Sequence, residues 1–155
     1  MTEEQMNAYK MRIAQAGVGD LTVIMLEMEI QWITEALDAY EKQKIEDFIS
    51  CVEKAQGTQV ELMNVLNMEN PLAVVVYSVF IFINKHLIEA KIRQDPLDLE
   101  RCRGMLEKYH KSFLEVAKTD ASGPVMEQSE KVYAGLTYGA DGLVENSVGG
   151  MEFKI

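Results

Sequence analysis

Hydrophobic side chains recur at alternating intervals of three and four residues through most of the first 118 positions. The repeat is clearest over Leu99–Val116, and a run of the same kind covers Ile45–Leu66. This spacing places apolar side chains along one face of a helix, as in a helical bundle. A third run follows Asp20, which can cap a helix that continues to Tyr40.

The stretch Pro71–Ala90, PLAVVVYSVFIFINKHLIEA, has far fewer polar positions than its neighbours. Over Leu72–Ile83 only two residues carry a polar side-chain atom. This run is shorter than the roughly 20 apolar residues of a membrane span and longer than a typical strand of about 5–6 residues. We therefore predict a helix that is capped by Asn70, starts at the proline that follows and ends at Arg93 or Gln94.

Together the four runs predict an all-α fold, an antiparallel four-helix bundle, because the connections between successive long helices are short. Asp95, Pro96 and Asp98 suggest that the last helix starts as the third does, with a cap, a proline and an acidic first turn. We expect residues 1–19 to form an N-terminal cap segment and hinge, residues 20–118 the bundle, and residues 119–155 a flexible tail that contains glycines.

Charge and cysteine content narrow the class of protein. The net charge of −10 and the pI near 4.7 argue against a nucleic-acid partner, because binding to phosphates needs a basic surface. The N-terminus lacks the basic start and apolar core of a signal peptide. Cys51 and Cys102 are far apart and form no CxxC pattern, which favours two reduced thiols. We predict a cytoplasmic protein without membrane insertion.

Motifs for catalysis are missing from the sequence, so we assign no catalytic, cofactor-binding or metal-binding residues and no cofactor. Glu107–His110 is a Glu-x-x-His element, which di-iron carboxylate bundles use twice. It occurs once here, and we interpret it as part of a solvated helix face, with a di-iron enzyme as the remote alternative. Glu27 and Glu29 are interpreted as marking the outward side of the first long helix.

The helix predicted to start at Pro71 has more apolar surface than a bundle helix needs. Its side chains from Val74 to Ile83 are apolar on all sides, whereas one stripe about 100° wide suffices for packing. The helix is either central in a bundle that also forms a homodimer, or it borders a groove for an amphipathic helix of another protein. The pattern alone does not separate these two interpretations.

Several stretches resemble the FliS family, the flagellar secretion chaperones that bind flagellin. Val76–Asp95, VYSVFIFINKHLIEAKIRQD, is similar to the family's third helix, with aromatic residues followed by a Leu-x-x-Ala element. Glu61–Glu69 resembles the end of the second helix and Asp20–Ile33 resembles the first. Tyr9 stands where the N-terminal segment of the family usually has a tyrosine. The resemblance covers roughly residues 5–118.

The resemblance implies an export chaperone without ATP or cofactor. Such proteins hold the disordered C-terminal segment of flagellin in the cytoplasm, prevent its premature polymerisation and support its export by the flagellar type III secretion system. Flagellin is therefore the expected partner, and components of the export gate are further candidates. The N-terminal segment of the family can cover part of the groove when the client is absent.

We expect nine residues on the N-terminal segment and on the first and third long helices to contact the client, with core packing as the alternative for each. They are Tyr9, Ile13, Leu21, Ile24, Met28, Tyr77, Phe80, Ile83 and Leu87.

The tail contains one apolar patch, VYAGLTYG at Val132–Gly139, that we expect to dock in the client groove as a self-competing lid. Deletion of residues 121–155 should then tighten client binding, because a competitor is lost. Titration of the client into the full-length and shortened chains measures this effect, and unchanged affinity would contradict it.

Overall fold

A computed structural model of the protein describes residues 1–118, apart from the side chain of Val18. The regular elements in this part of the chain are all α-helices. They are α1 (Glu3–Gln15), α2 (Val18–Glu41), α3 (Ile45–Asn64), α4 (Pro71–Arg93) and α5 (Leu99–Ala117). The all-α prediction is confirmed for these residues, and the tail predicted for residues 119–155 lies outside them.

Helix α2 is at the centre of the packing. It contacts α1, α3 and α5, whereas α4 packs mainly on α3 and only lightly on α5. Leu26, Ile33 and Ala36 on α2 have no exposed surface. The centre is thus occupied by α2 and not by α4, so central placement does not account for the excess apolar surface of α4.

The start of α4 forms as the sequence predicts. The Asn70 side chain accepts a hydrogen bond of 2.9 Å from the backbone N–H of Leu72, and Pro71 occupies the first turn. The helix ends at Arg93, and Gln94 follows in the left-handed conformation with φ of 53°. A residue of this conformation after the last turn is a common way to end a helix.

Two other predicted helix starts are wrong. Helix α2 begins at Val18 with Gly17 as its N-cap, so Asp20 lies within the first turn and makes no capping bond. Its negative charge can still stabilise the helix by interacting with the positive end of the helix dipole. The side chain of Asp95 accepts a 2.9 Å hydrogen bond from the N–H of Leu97 and forms a turn. Helix α5 therefore begins only at Leu99.

The predicted apolar stripes of α3 and α5 are mostly buried. At the end of α5 the pattern shifts by one residue, because Val116 is 62% exposed and Ala117 is buried instead. Short connections, such as residues 42–44 between α2 and α3, still predict that successive helices run antiparallel. The stripe residues buried in α3 are Phe48, Val52, Ala55, Gln59 and Leu62.

Two glycines inside helices lower the stability of the fold, although no close neighbour requires a residue without a Cβ there. Gly57 in α3 and Gly104 in α5 leave open space where a Cβ would stand, with no neighbouring atom within 4 Å. We expect Gly57→Ala and Gly104→Ala each to raise the free energy of unfolding by about 0.5–1 kcal/mol, because alanine loses less backbone entropy on folding. Urea denaturation measures the change.

Ala55→Gly is the matched control, because Ala55 is buried in the same helix as Gly57. It should lower the free energy of unfolding by about 1 kcal/mol or more through backbone entropy and lost packing. A lower free energy of unfolding in both Gly57→Ala and Gly104→Ala would contradict the prediction.

Candidate partner-binding surface

One side of α4 packs against the protein and the other presents apolar side chains to solvent. The buried side follows the intervals of three and four that the sequence predicts: Ala73, Val76, Phe80, Ile83, Leu87 and Ala90. The exposed apolar side chains of α4, here called the α4 row, are Leu72, Val74, Val75, Ile81, Ile88 and Ile92.

The α4 row is the main concentration of exposed apolar surface in the described part of the chain. It holds six of the twelve large hydrophobic residues that are exposed there, and Ile92, Leu72 and Val75 are 75%, 65% and 60% exposed. A concentration of exposed apolar side chains on one helix is typical of a site of interaction. By length and composition alone, α4 could also cross a membrane, which is weak evidence because core helices of soluble proteins pass the same test.

A second surface lies under α1. This helix contacts α2, with Ile13 only 3% exposed and Tyr9 and Met6 half-buried against the core. Its start is fixed by a capping box, in which the Thr2 side chain accepts from the N–H of Gln5 and the Gln5 side chain accepts from the N–H of Thr2. We call the part of the protein that α1 covers the α1 seat.

A polar contact at the α1 seat joins three helices. Arg12 Nη1 of α1 lies 2.5 Å from Glu27 Oε2 of α2, and His110 Nε2 of α5 lies 3.0 Å from Glu27 Oε1. Burial raises the pKa of Glu27, but the hydrogen bonds from Arg12 and His110 together lower it further, so the net pKa is below its ordinary value. Glu27 is therefore a carboxylate at neutral pH.

The rest of α1 extends this contact. The Arg12 guanidinium lies 5.6 Å from the centre of the Tyr9 ring, within the range of a cation–π interaction. Burial raises the pKa of the Tyr9 hydroxyl, and the charge of Glu27 adds to this. Further along α2, Glu35 contacts the amino group of Met1 and accepts a 2.9 Å hydrogen bond from Gln31.

The nine residues predicted to contact a client fall into two groups around one core. Tyr9, Met28 and Tyr77 are half-buried. The other six are buried in this structure: Ile13, Leu21, Ile24, Phe80, Ile83 and Leu87. The residues of α1 and α2 belong to two helices that contact each other, and those of α4 lie on or next to that helix's packed side.

The α4 row itself was missed by the sequence-based choice of residues. Its signal was present, because Ile81 and Ile88 follow the buried Phe80 and Leu87 by one residue and so point away from the core. An apolar residue out of step with the packed stripe is the expected mark of exposed apolar surface.

The interpretation of Glu27 and Glu29 as the outward side of α2 is wrong. Glu29 has no exposed surface, and its carboxylate oxygens make no hydrogen bond with the described residues. Its position was visible in the sequence, since it stands three residues after Leu26 and four before Ile33 in the buried row of α2. Glu27 is half-buried and ion-paired, because α1 and α5 cover that side of the helix.

The remaining residues considered for chemistry have structural surroundings. His110 bonds Glu27, and Glu107 is exposed with its carboxylate 3.9 Å from Arg103. Within residues 1–118 no three His, Cys, Asp or Glu side chains are grouped so that they could hold a metal ion. Burial raises the pKa of Cys102 to about 11 and raises that of Cys51, so both thiols are protonated at neutral pH.

Comparison with known families agrees with this picture. The family model described as flagellar protein FliS matches residues 1–120. The chain belongs to the FliS family. FliS proteins are chaperones of flagellar assembly, which is consistent with a helical protein that exposes apolar side chains on α4. A search of curated proteins finds no match.

Glu29 should make the stability of this FliS protein depend on pH. Burial raises its pKa well above the ordinary value, so the folded protein retains this proton to higher pH than the unfolded chain does. The stabilising contribution is complete below the unfolded-state pKa of about 4.3 and is lost as the pH rises toward the folded-state pKa.

Glu29→Gln has nearly the same shape and cannot ionise. Relative to that of the native chain, we expect its free energy of unfolding to increase as the pH rises above the unfolded-state pKa of about 4.3, by at most about 1.4 kcal/mol per pH unit. Urea denaturation of both proteins at several pH values measures the difference, in which contributions of other groups cancel. A difference that stays constant with pH would contradict the prediction.

Proposed function

We propose that this protein is a cytoplasmic export chaperone that binds the disordered C-terminal segment of flagellin. It prevents premature polymerisation of flagellin and supports its export by the flagellar type III secretion system. Membership of a chaperone family supports the general role. The single observation that carries the proposal is the α4 row, since six large apolar side chains on one helix are left exposed.

Binding is coupled to folding of the client in this proposal. A segment without structure of its own can wrap an antiparallel four-helix bundle and form amphipathic helices on its apolar surface. The cost of ordering the segment offsets part of the contact energy, so that binding stays reversible. Residues 20–118 act as the bundle, residues 1–19 as the cap segment, and residues 119–155 as a tail that competes for the groove.

The predicted contact residues have different tasks in this proposal. Tyr77 and Met28 are half-buried and therefore partly accessible to a client while α1 occupies its seat. Leu21 and Ile24 become accessible when α1, with Tyr9 and Ile13, leaves its seat. Three residues at the packed side of α4 support the α4 row from behind: Phe80, Ile83 and Leu87.

A homodimer that buries the α4 row is the second candidate, because the same exposed apolar residues would suit a second copy of the chain. It predicts a molecular mass that rises with protein concentration. A molecular mass that stays that of a monomer over a wide concentration range would exclude the homodimer and favour another protein as the partner of the α4 row.

The test is calorimetric titration with the C-terminal segment of flagellin from the same organism, about 40 residues in length. We expect 1:1 binding of micromolar or tighter affinity and a large negative heat-capacity change from burial of apolar surface. Ile81→Glu and Ile88→Glu on the α4 row should each weaken binding by about tenfold or more, which is about 1.4 kcal/mol.

Leu114→Glu is the matched control, since Leu114 is as exposed as Ile88 but lies on α5. It should change the affinity by no more than about twofold. Absence of heat at several temperatures, from the native chain and from a variant in which α1 is released, would overturn the proposed function.

A further inference from the structure

Helix α1 is held in its seat by a charge as well as by apolar packing. Of the two oxygens of Glu27, one faces Arg12 of α1 at 2.5 Å and the other faces His110 of α5 at 3.0 Å. The Glu27 and His110 side chains are only 25% and 24% exposed, whereas that of Arg12 is 48% exposed. The carboxylate and the imidazole thus belong to the seat, and the guanidinium is brought by the helix that occupies it.

An empty seat leaves this carboxylate poorly paired. When α1 leaves, Glu27 loses its guanidinium partner and keeps only the bond to His110. Water can reach the carboxylate while the seat is empty, but a helix that covers the seat removes this water again, and a carboxylate that is then left without a cation is unfavourable. Any helix that takes the place of α1 therefore binds best if it restores a positive charge at this point.

We propose that Glu27, oriented by His110, selects partner helices that carry an arginine or lysine next to their apolar anchors. The inference rests on the proposed function, in which a client helix binds this chaperone, and it adds the chemistry of that helix. The resident α1 shows the arrangement: Tyr9 and Ile13 pack on the protein at positions i and i+4, and Arg12 precedes the second anchor.

His110 is a positioning residue in this scheme. Its ring occupies one carboxylate oxygen from the side of α5, which leaves the other oxygen directed to the helix in the seat. Tyr9 and Asp20 act on Arg12, and Glu35 acts on Tyr9, whereas the groups that act on Glu27 are Arg12 and His110.

Two single variants separate this role from a merely structural one. Arg12→Gln and Glu27→Gln both break the bond that holds α1, so both should speed hydrogen exchange of the α1 amides to a similar extent. Only Arg12→Gln leaves the carboxylate free for a partner. A structural latch alone would make both variants bind a basic helix equally well.

The probes are two synthetic peptides of residues 1–17, one with the natural sequence and one with Arg12→Gln. The host is the full-length chain with Arg12→Gln and Ile13→Asp, in which the resident α1 is disabled. We expect the natural peptide to bind this host about 3- to 10-fold more tightly than the substituted peptide, the range for a partly exposed charged contact. In the same host with Glu27→Gln the two peptides should bind equally.

His110→Ala in the host should reduce the preference for the natural peptide. His86→Ala is the matched control, because His86 is similarly half-buried but packs against Phe82 on α4. Should the host with Ile13→Asp fail to fold, the full-length chain with Arg12→Gln alone takes its place. Hydrogen exchange then confirms that its α1 is open.

A preference that persists after Glu27→Gln would overturn the proposal, and so would failure of both peptides to bind. Neither result depends on flagellin, since the probes come from this chain. A flagellin segment that binds the α4 row while the peptides show no charge preference would leave the proposed function intact and remove this inference. If the flagellin titration fails while the host clearly prefers the natural peptide, the charge preference at Glu27 stands and the proposed function falls.

Discussion

The burial of α2 on nearly all sides is the constraint on which the rest of the protein depends. A helix surrounded by α1, α3 and α5 needs apolar side chains around most of its circumference, and Leu21–Leu26 is buried almost without interruption. Helix α4 packs on α3 and on α5, where the ring centre of Phe80 lies 6.2 Å from that of Tyr109. These two helices cover one side of α4, and the apolar side chains on the rest of its surface stay exposed.

The sequence predicts the packed stripes and the start of α4 well, because these depend on local spacing and on one capping side chain. Asn70 caps α4 as expected, and the buried positions of α3 follow the repeat. It predicts less well where helices cover each other. Glu29 could have been assigned to the buried row of α2 from its spacing to Leu26 and Ile33, whereas the ion pairs of Glu27 are visible only once α1 and α5 lie beside α2.

The candidate surface divides in the same way. Partly buried residues of α1 and α2, such as Tyr9 and Met28, could be chosen from the resemblance to the family. The α4 row could have been found from spacing, as Ile81 and Ile88 are out of step with the buried stripe. The contact of Glu27 with His110 could not have been found from the sequence. The two residues lie 83 positions apart in the chain and meet only through the packing of α5 on α2.

The link between α1 and α2 consists only of Ala16 and Gly17. A helix tethered this closely stays near its seat after it detaches, at an effective concentration in the millimolar range or above. In the proposed function, a detached α1 competes with the partner as an intramolecular ligand, so the apparent association constant of the partner is the intrinsic one multiplied by the fraction of time that the seat is open. The same tether returns α1 without any search through solution once a partner dissociates. Under that proposal, the protein needs no separate step to return to its closed form after a client is released.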